Sequence, residues 1–534
     1  MKRLALEVAC AAAMAVAICG AVQAAEPLKV TVDENNIIHV NGKKFLPIAM
    51  WAQPEDTFAM WKDLGANLFM TGSNPRREGT VESYVKAAEE NNVYFSIGCR
   101  WARESNQTEQ VMKHPLLFTM TQSDEPDKPR TVSDAQVEPG KGMKLNRQRP
   151  LLNVFDGKLN TSAVIDPPQG IEFTVQLPKA VTATKLAAAV DAGEARSNPK
   201  EVEFVADGKS LLKVEWKNAK GLQEFALPQA ATFSALTVKI LSAYEGKNGY
   251  GAIAEVQALD AGGKNLLVSP PRLAPGHPPE EVLAEYKAVK ARDPGRLVSM
   301  CLMARYMKEL SSMQRISDET YKQYPPACDL LMFDLYPVSI WGKNLHWNAA
   351  GLDQLRELAG PKKALGIWLQ ASDAMNAKDP GMTAAQMRAD VWLSLIHGAT
   401  FVGYFPQTFN PTFKFHTLNA ERRAAMKANN KEITELADLI LTPPKSDLFT
   451  VKQEGARVDV MQRESGGKAL LVMVNVIESG EGKPVRVTVE PKAFKPAGVP
   501  VRYGTKDAVA AKDGAWTLEL KPWETAVLVV DRAK

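Results

Sequence analysis

From residue 44 onward, short apolar runs alternate with stretches whose apolar positions recur every three or four residues. Residues 44–51 predict a strand, 55–64 a helix stopped by Gly65, 66–70 a strand and 81–90 a helix. Two further strands are predicted at 93–99 and 116–121. Strands separated by helices of this length imply βαβ units and a parallel sheet. The alternation lapses between 151 and 259, where β-rich runs such as 171–175, 201–205 and 236–240 are punctuated by Gly, Asn, Asp and Pro. That pattern predicts an all-β sandwich. It resumes with an amphipathic helix at 280–291, which places Val282, Leu283, Tyr286 and Val289 on one face. Strands follow at 297–302, 330–335 and 364–369, then a helix at 384–397 and a strand at 398–405.

Four strands before the β-rich block and four after it fit an α/β fold, a (β/α)8 TIM barrel interrupted after strand four by a jelly-roll β-sandwich. A helix at 420–441 closes the barrel, Pro443-Pro444 marks a boundary, and 449–530 is again β-patterned. The expected organisation is a barrel at 36–130 and 278–442, an inserted sandwich at 131–277 and a C-terminal sandwich at 445–534.

The first residues have a different character. Lys2 and Arg3 precede a run of Ala, Val, Leu, Ile and Met, and Val22-Gln23-Ala24 supplies small residues for cleavage. Residues 1–24 therefore read as a secretory signal peptide, giving a secreted or periplasmic protein with no membrane span after cleavage.

The remaining composition excludes more than it selects. A net charge of +4 over 534 residues, with acids and bases interleaved, leaves no basic stripe for nucleic acid. Cys99, Cys301 and Cys328 remain after cleavage, an odd and widely spaced set that reads as buried thiols. The six histidines form no HExxH, and CxxC, GxGxxG and Walker loops are missing. No metal site and no cofactor are expected. Oligomeric state is not readable.

Barrel chemistry collects at the C-terminal ends of the strands. Here those ends carry Trp51, Asn74, Arg100 and Trp101, then Asp124-Glu125-Pro126-Asp127, Asp334 with Tyr336, Trp368 and Gln370 with Asp373 beyond, and Tyr404. Aromatic faces stack on the apolar faces of sugar rings, and carboxylates and amides bind hydroxyls. Cleaving a glycosidic bond needs an acid for the leaving oxygen and a nucleophile or base for the anomeric carbon. Glu125 is the natural acid, with Asp124 able to raise its pKa by like-charge repulsion. Asp334 is the third catalytic candidate. Trp51, Asn74, Arg100, Trp101, Tyr336, Trp368, Gln370 and Tyr404 are candidates for substrate binding.

Several segments resemble clan A glycoside hydrolases: Leu64-Gly65-Ala66-Asn67, Glu125-Pro126, Asp293-Pro294-Gly295-Arg296, and the stretch from Trp392 to Tyr404. The resemblance implies an acid/base Glu125 and a nucleophilic Glu ending strand seven, where this chain has Trp368-Leu369-Gln370. Asp124-Glu125 also matches the Asp-Glu pair of family 20 and family 123 hexosaminidases, in which Asp orients the substrate's own 2-acetamido group. Asn153-Val154-Phe155-Asp156-Gly157 and Ala252-Ile253-Ala254-Glu255-Val256 resemble discoidin or family 32 carbohydrate-binding modules. The expected function is a glycoside hydrolase acting on an oligosaccharide or glycan. The alternatives are a substrate-assisted N-acetylhexosaminidase and a non-catalytic carbohydrate-binding protein with a degenerate barrel.

Overall fold

A computed structural model describes residues 28–70, 81–100, 111–132, 136–146, 148–267, 272–340, 345–371, 381–409, 412–504 and 509–533. The expectations for residues 1–24, Asn74, Trp101 and Asp373 lie outside the described residues. The chain divides into two compact units, one spanning 129–274 and one made of the residues on either side.

In the second of these, eight parallel strands close on themselves: Ile48–Trp51, Leu68–Met70, Tyr94–Gly98, Leu117–Thr121, Leu297–Met303, Leu330–Asp334, Ala364–Gln370 and Phe401–Phe405. Strand four lies beside strand five, with Leu297 opposite Thr119 and Ser299 opposite Thr121. Alternation sorts each strand's side chains between two cores. Leu331 and Phe333 pack outward against the helices, as do Leu365, Ile367 and Leu369. Leu330, Met332, Ala364 and Trp368 fill the inside. Because the strands are buried on both faces, they read in sequence as continuous apolar runs. Gly403 makes one close approach possible, since a Cβ there would stand 2.4 Å from the Trp368 ring.

Residues 30–44 form a three-stranded antiparallel sheet rather than part of the first barrel strand, which begins at Ile48. Its Leu28, Val30, Ile38 and Val40 join the inner core. The Val30 amide donates to Gly295 O, and the Thr400 hydroxyl to Asn36 O. Those partners precede strands five and eight, so this sheet sits at the N-terminal end of the barrel.

The helix expected at 420–441 breaks at Leu436 into Ala420–Glu435 and Ala437–Ile440. The helix His346–Ala359 carries no strong sequence signal, because its buried positions include Asn348, Ala349 and Gly351.

The C-terminal residues form two four-stranded antiparallel sheets. Strand Lys468–Asn475 is shared between cores: Leu470, Val472 and Val474 join the barrel helices, while Ala469, Leu471 and Met473 face the opposite sheet.

The unit at 129–274 is a seven-stranded antiparallel sheet around Phe155, Phe173, Phe204, Trp216 and Phe233. Its long strands Ile171–Val190 and Gln223–Ile240 change register between Gln176 and Val181, which lets each bend round the core. Glu255 is fully buried there, and burial with the nearby Asp156 charge pushes it up to about 8.

Candidate active site

The loop after strand four is held on several sides. The Gln122 amide donates to Ser299 O at 2.9 Å, and the Met303 amide to Asp127 Oδ1 at 2.9 Å. The Tyr324 hydroxyl donates to His277 O at 2.7 Å, and the His277 amide to Pro126 O at 2.9 Å. Within this frame Glu125 adopts φ 45°, left-handed backbone that a non-glycine residue rarely takes. Such strain persists only where the surroundings enforce it, and it concentrates at functional sites.

The strained turn brings four carboxyl groups into one electrostatic cluster. Asp334 ends strand six on its inward register, beside Trp368 of strand seven. Burial, then the charges of Glu125 and Asp124, hold Asp334 well above the usual carboxylate range, against a hydrogen bond with Tyr336. Asp124 is exposed, and the upward push on its carboxyl from desolvation and from the Glu125 charge is screened by solvent. The like-charge repulsion expected within the pair is thus felt at Asp124. Asp127 is fully buried and pushed up to about 8 by burial and by Glu125, and its Oδ2 has no partner among the described residues. Lys128 is the cation in contact with the cluster, its Nζ 2.7 Å from Glu125 Oε2, and the Arg305 charge reaches Asp127. Four carboxyls gathered around Lys128 and Arg305 repel one another, which favours keeping a proton in the cluster.

Tyr336 lies with Asp334 at the top of the inner core, and Cys301 of strand five lies beneath, its thiol pushed up by burial and by the same carboxylates. Trp51 and Trp368 meet edge to face with ring centroids 4.9 Å apart and are 8% and 2% exposed. They therefore form the top layer of the barrel core and offer little open face. Gln370 is buried on the inward register of strand seven. Arg100 is exposed just beyond strand three. Tyr404 is not with this group. It points outward, and its hydroxyl donates to Asn430 Oδ1 at 2.8 Å on the helix Ala420–Glu435. Strand eight's alternation gives the inward place to Phe405.

From Phe405 a ladder of rings leads away from the carboxyls. Tyr336 and Phe405 are 4.9 Å apart, Phe405 and Phe409 6.2 Å, and Phe409 and Phe413 5.6 Å. Phe409 and Phe413 are 47% and 49% exposed. Thr408 and Lys414 exchange backbone hydrogen bonds at 3.0 Å, and Gln53 Nε2 donates to Phe415 O at 3.1 Å. Those bonds hold Thr408, Lys414 and Phe415, the described neighbours of the two rings, in place. Sequence reasoning passed over Lys128 and this ladder. The signal was the Phe spacing in Phe409, Phe413 and Phe415 just past a barrel strand.

In sequence comparison no family model and no curated protein matches the chain. Among solved structures it is similar to a family 32 carbohydrate-binding module of AlyQ in complex with 4,5-unsaturated mannuronic acid. The identity is 17% over 24% of this chain and 95% of that one, with a TM-score of 0.20. A family 32 module from Clostridium perfringens NanJ in complex with galactose is 16% identical over 24% and 96%, with a TM-score of 0.19. An Anoxybacillus alpha-amylase is 11% identical over 48% of this chain, which spans 57% of the amylase, with a TM-score of 0.34. The structural neighbours thus include carbohydrate-binding modules and a glycoside hydrolase.

Proposed function

We propose that the protein is an exported glycoside hydrolase, with Glu125 as general acid/base and Asp124 and Asp334 completing the catalytic group. The observation that carries this reading is the carboxyl cluster at the C-terminal ends of strands four and six, with Glu125 on a left-handed turn and its Oε2 2.7 Å from Lys128 Nζ. General acid catalysis requires a proton held there. In the resting state Lys128 pairs with Glu125, and Asp334 holds the proton. Substrate binding moves Lys128 aside, and the proton passes to Glu125. Asp334 is left anionic. Glu125 then protonates the glycosidic oxygen, the C–O bond breaks with its electron pair on the leaving alcohol, and Asp334 meets the positive charge at the anomeric carbon. Gln370 has no charge to offer for that task. Water completes hydrolysis and returns a proton to the cluster.

The adjacency of Asp124 and Glu125 supports a second reading, in which Asp124 orients a substrate 2-acetamido group that attacks in place of Asp334. In both readings residues 131–277 form a discoidin-like, family 32-like module inserted in the barrel, and 445–534 a second sandwich. The signal-like residues 1–24 support export, and no helix among the described residues is long and apolar enough to cross a membrane.

Product analysis on a glycan panel tests the proposal. Glu125→Gln is expected to lower kcat on unactivated substrates by about 100-fold or more. Near-wild-type turnover would remove Glu125 from the mechanism, and no cleavage of any glycan by the wild type would leave a binding protein. Cleavage of a glucoside or galactoside as fast as the matching N-acetylhexosaminide would exclude substrate assistance and leave Asp334→Asn as the decisive variant.

A further inference from the structure

At the N-terminal end of the barrel, opposite the carboxyl cluster, lies a cavity of about 190 Å3. Arg356 of the helix His346–Ala359 and Arg463 of the sandwich strand Val458–Ser465 both line it, with Asn36, Thr400 and Thr442. The lining contains no Asp or Glu.

Two arginine side chains therefore line one partly open space that has no acidic residue in its wall. Arg356 Nη1 donates to Gly360 O at 3.0 Å and Lys363 O at 2.7 Å. Arg463 donates through Nε to Ile440 O at 3.4 Å and through Nη1 to Gln462 O at 3.1 Å. All four acceptors are backbone carbonyls, and neither arginine has a carboxylate partner among the described residues. Burial alone pushes Arg463 down to about 10 and lowers Arg356, with no acid acting against it. Buried cations are ordinarily paired, because their desolvation is costly. The cavity leaves room for the missing partner.

Asn36 lines the same cavity, but its Nδ2 donates to Pro361 O at 2.8 Å and its Oδ1 has no surface open to a ligand. The ligand chemistry is therefore set by the two arginines, which call for anionic oxygens.

We propose that this cavity is a phosphate-binding site, taking inorganic phosphate between Arg356 and Arg463. Arginine's planar fork suits phosphate oxygens. The two arginines come from the barrel and from the C-terminal sandwich, so the bound anion ties the two together. The site owes nothing to the glycosidase reading and is tested without any assay of activity.

The test uses the full chain at constant ionic strength, with thermal unfolding and phosphorus NMR as readouts. Titration with inorganic phosphate is expected to broaden its resonance saturably. It is also expected to raise the melting temperature of the barrel-containing unit by about 5 °C at a large excess over Kd. Chloride, which offers no oxygens to the guanidinium forks, should do neither. Glycerol phosphate separates the free anion from a phosphomonoester, because tighter binding of the ester would reassign the ligand to that class. Arg463→Gln and Arg356→Gln should each abolish the shift. Arg463→Lys, which keeps the charge but loses the fork, should weaken it. Lack of saturable broadening with the wild-type chain would overturn the proposal even if a variant failed to fold. So would an undiminished shift in both Gln variants.

Discussion

Lys128 Nζ donates to Glu125 Oε2 across 2.7 Å, so the proposed acid has its counter-charge three positions along its own turn. Asp124 and Asp334 also feel this ammonium or its partner. A nearby positive charge favours the ionised form of a carboxyl group. With Lys128→Met, the carboxyl cluster loses a cation that favours its ionised form. The high-pH limb of kcat/KM should then move up by about one unit at low salt. An unmoved limb would mean that Lys128 leaves Glu125 before the proton matters.

The exposed rings of Phe409 and Phe413 continue from Tyr336 through Phe405. Stacking by one aromatic ring contributes about 0.5–1.5 kcal/mol, which is roughly a 2- to 10-fold change in affinity. Phe413→Ala should raise KM for longer oligosaccharides by that factor and leave small aryl glycosides unchanged. A loss spread evenly over short and long substrates would point to damage in the loop, not to a binding face.

Tyr404 bonds Asn430, and Asn430 Nδ2 donates to Leu64 O at 2.7 Å, clamping a helix to the outside of the barrel. Tyr404→Phe leaves the fully buried Asn430 oxygen without its donor, at a cost of about 1–3 kcal/mol. Chemical denaturation should show this loss while KM stays at the wild-type value. A raised KM with intact stability would return Tyr404 to the substrate side.

His397 lies between Asp353 and Asp459, at 2.8 and 3.0 Å, where the sandwich meets the barrel. Burial lowers its pKa, but the two hydrogen-bonded carboxylates outweigh burial and hold it at about 9. A raised histidine pKa stabilises the fold fully below the unfolded value of about 6.5, and the contribution fades as pH rises through the folded value. The wild type should therefore exceed His397→Gln in stability by roughly 2 kcal/mol near pH 6, with Asp353 being largely open to solvent. The gap should close above pH 9. A gap that widens with pH would show that the imidazole is neutral in the fold.

The alternation of apolar runs with helical periods was enough to set out eight barrel strands, because a strand buried on both faces must be apolar along its whole length. The same reading placed Glu125 and Asp334 at strand ends, since strand direction alone decides which loops gather at one mouth. It could not tell Tyr404 from Phe405, because one step along a strand reverses the face and no composition signal marks the step. Nor could it tell that Trp51 and Trp368 would bury each other, a fit that depends on the missing side chain at Gly403. The helix His346–Ala359 was hidden because its buried face includes Asn348, whose amide meets Asp390 from another helix at 2.7 Å. The grouping of these carboxyls was decided in three dimensions as well. Asp334 is more than 200 residues from Asp124 in the chain, and only closure of the barrel brings their charges close enough to hold a proton.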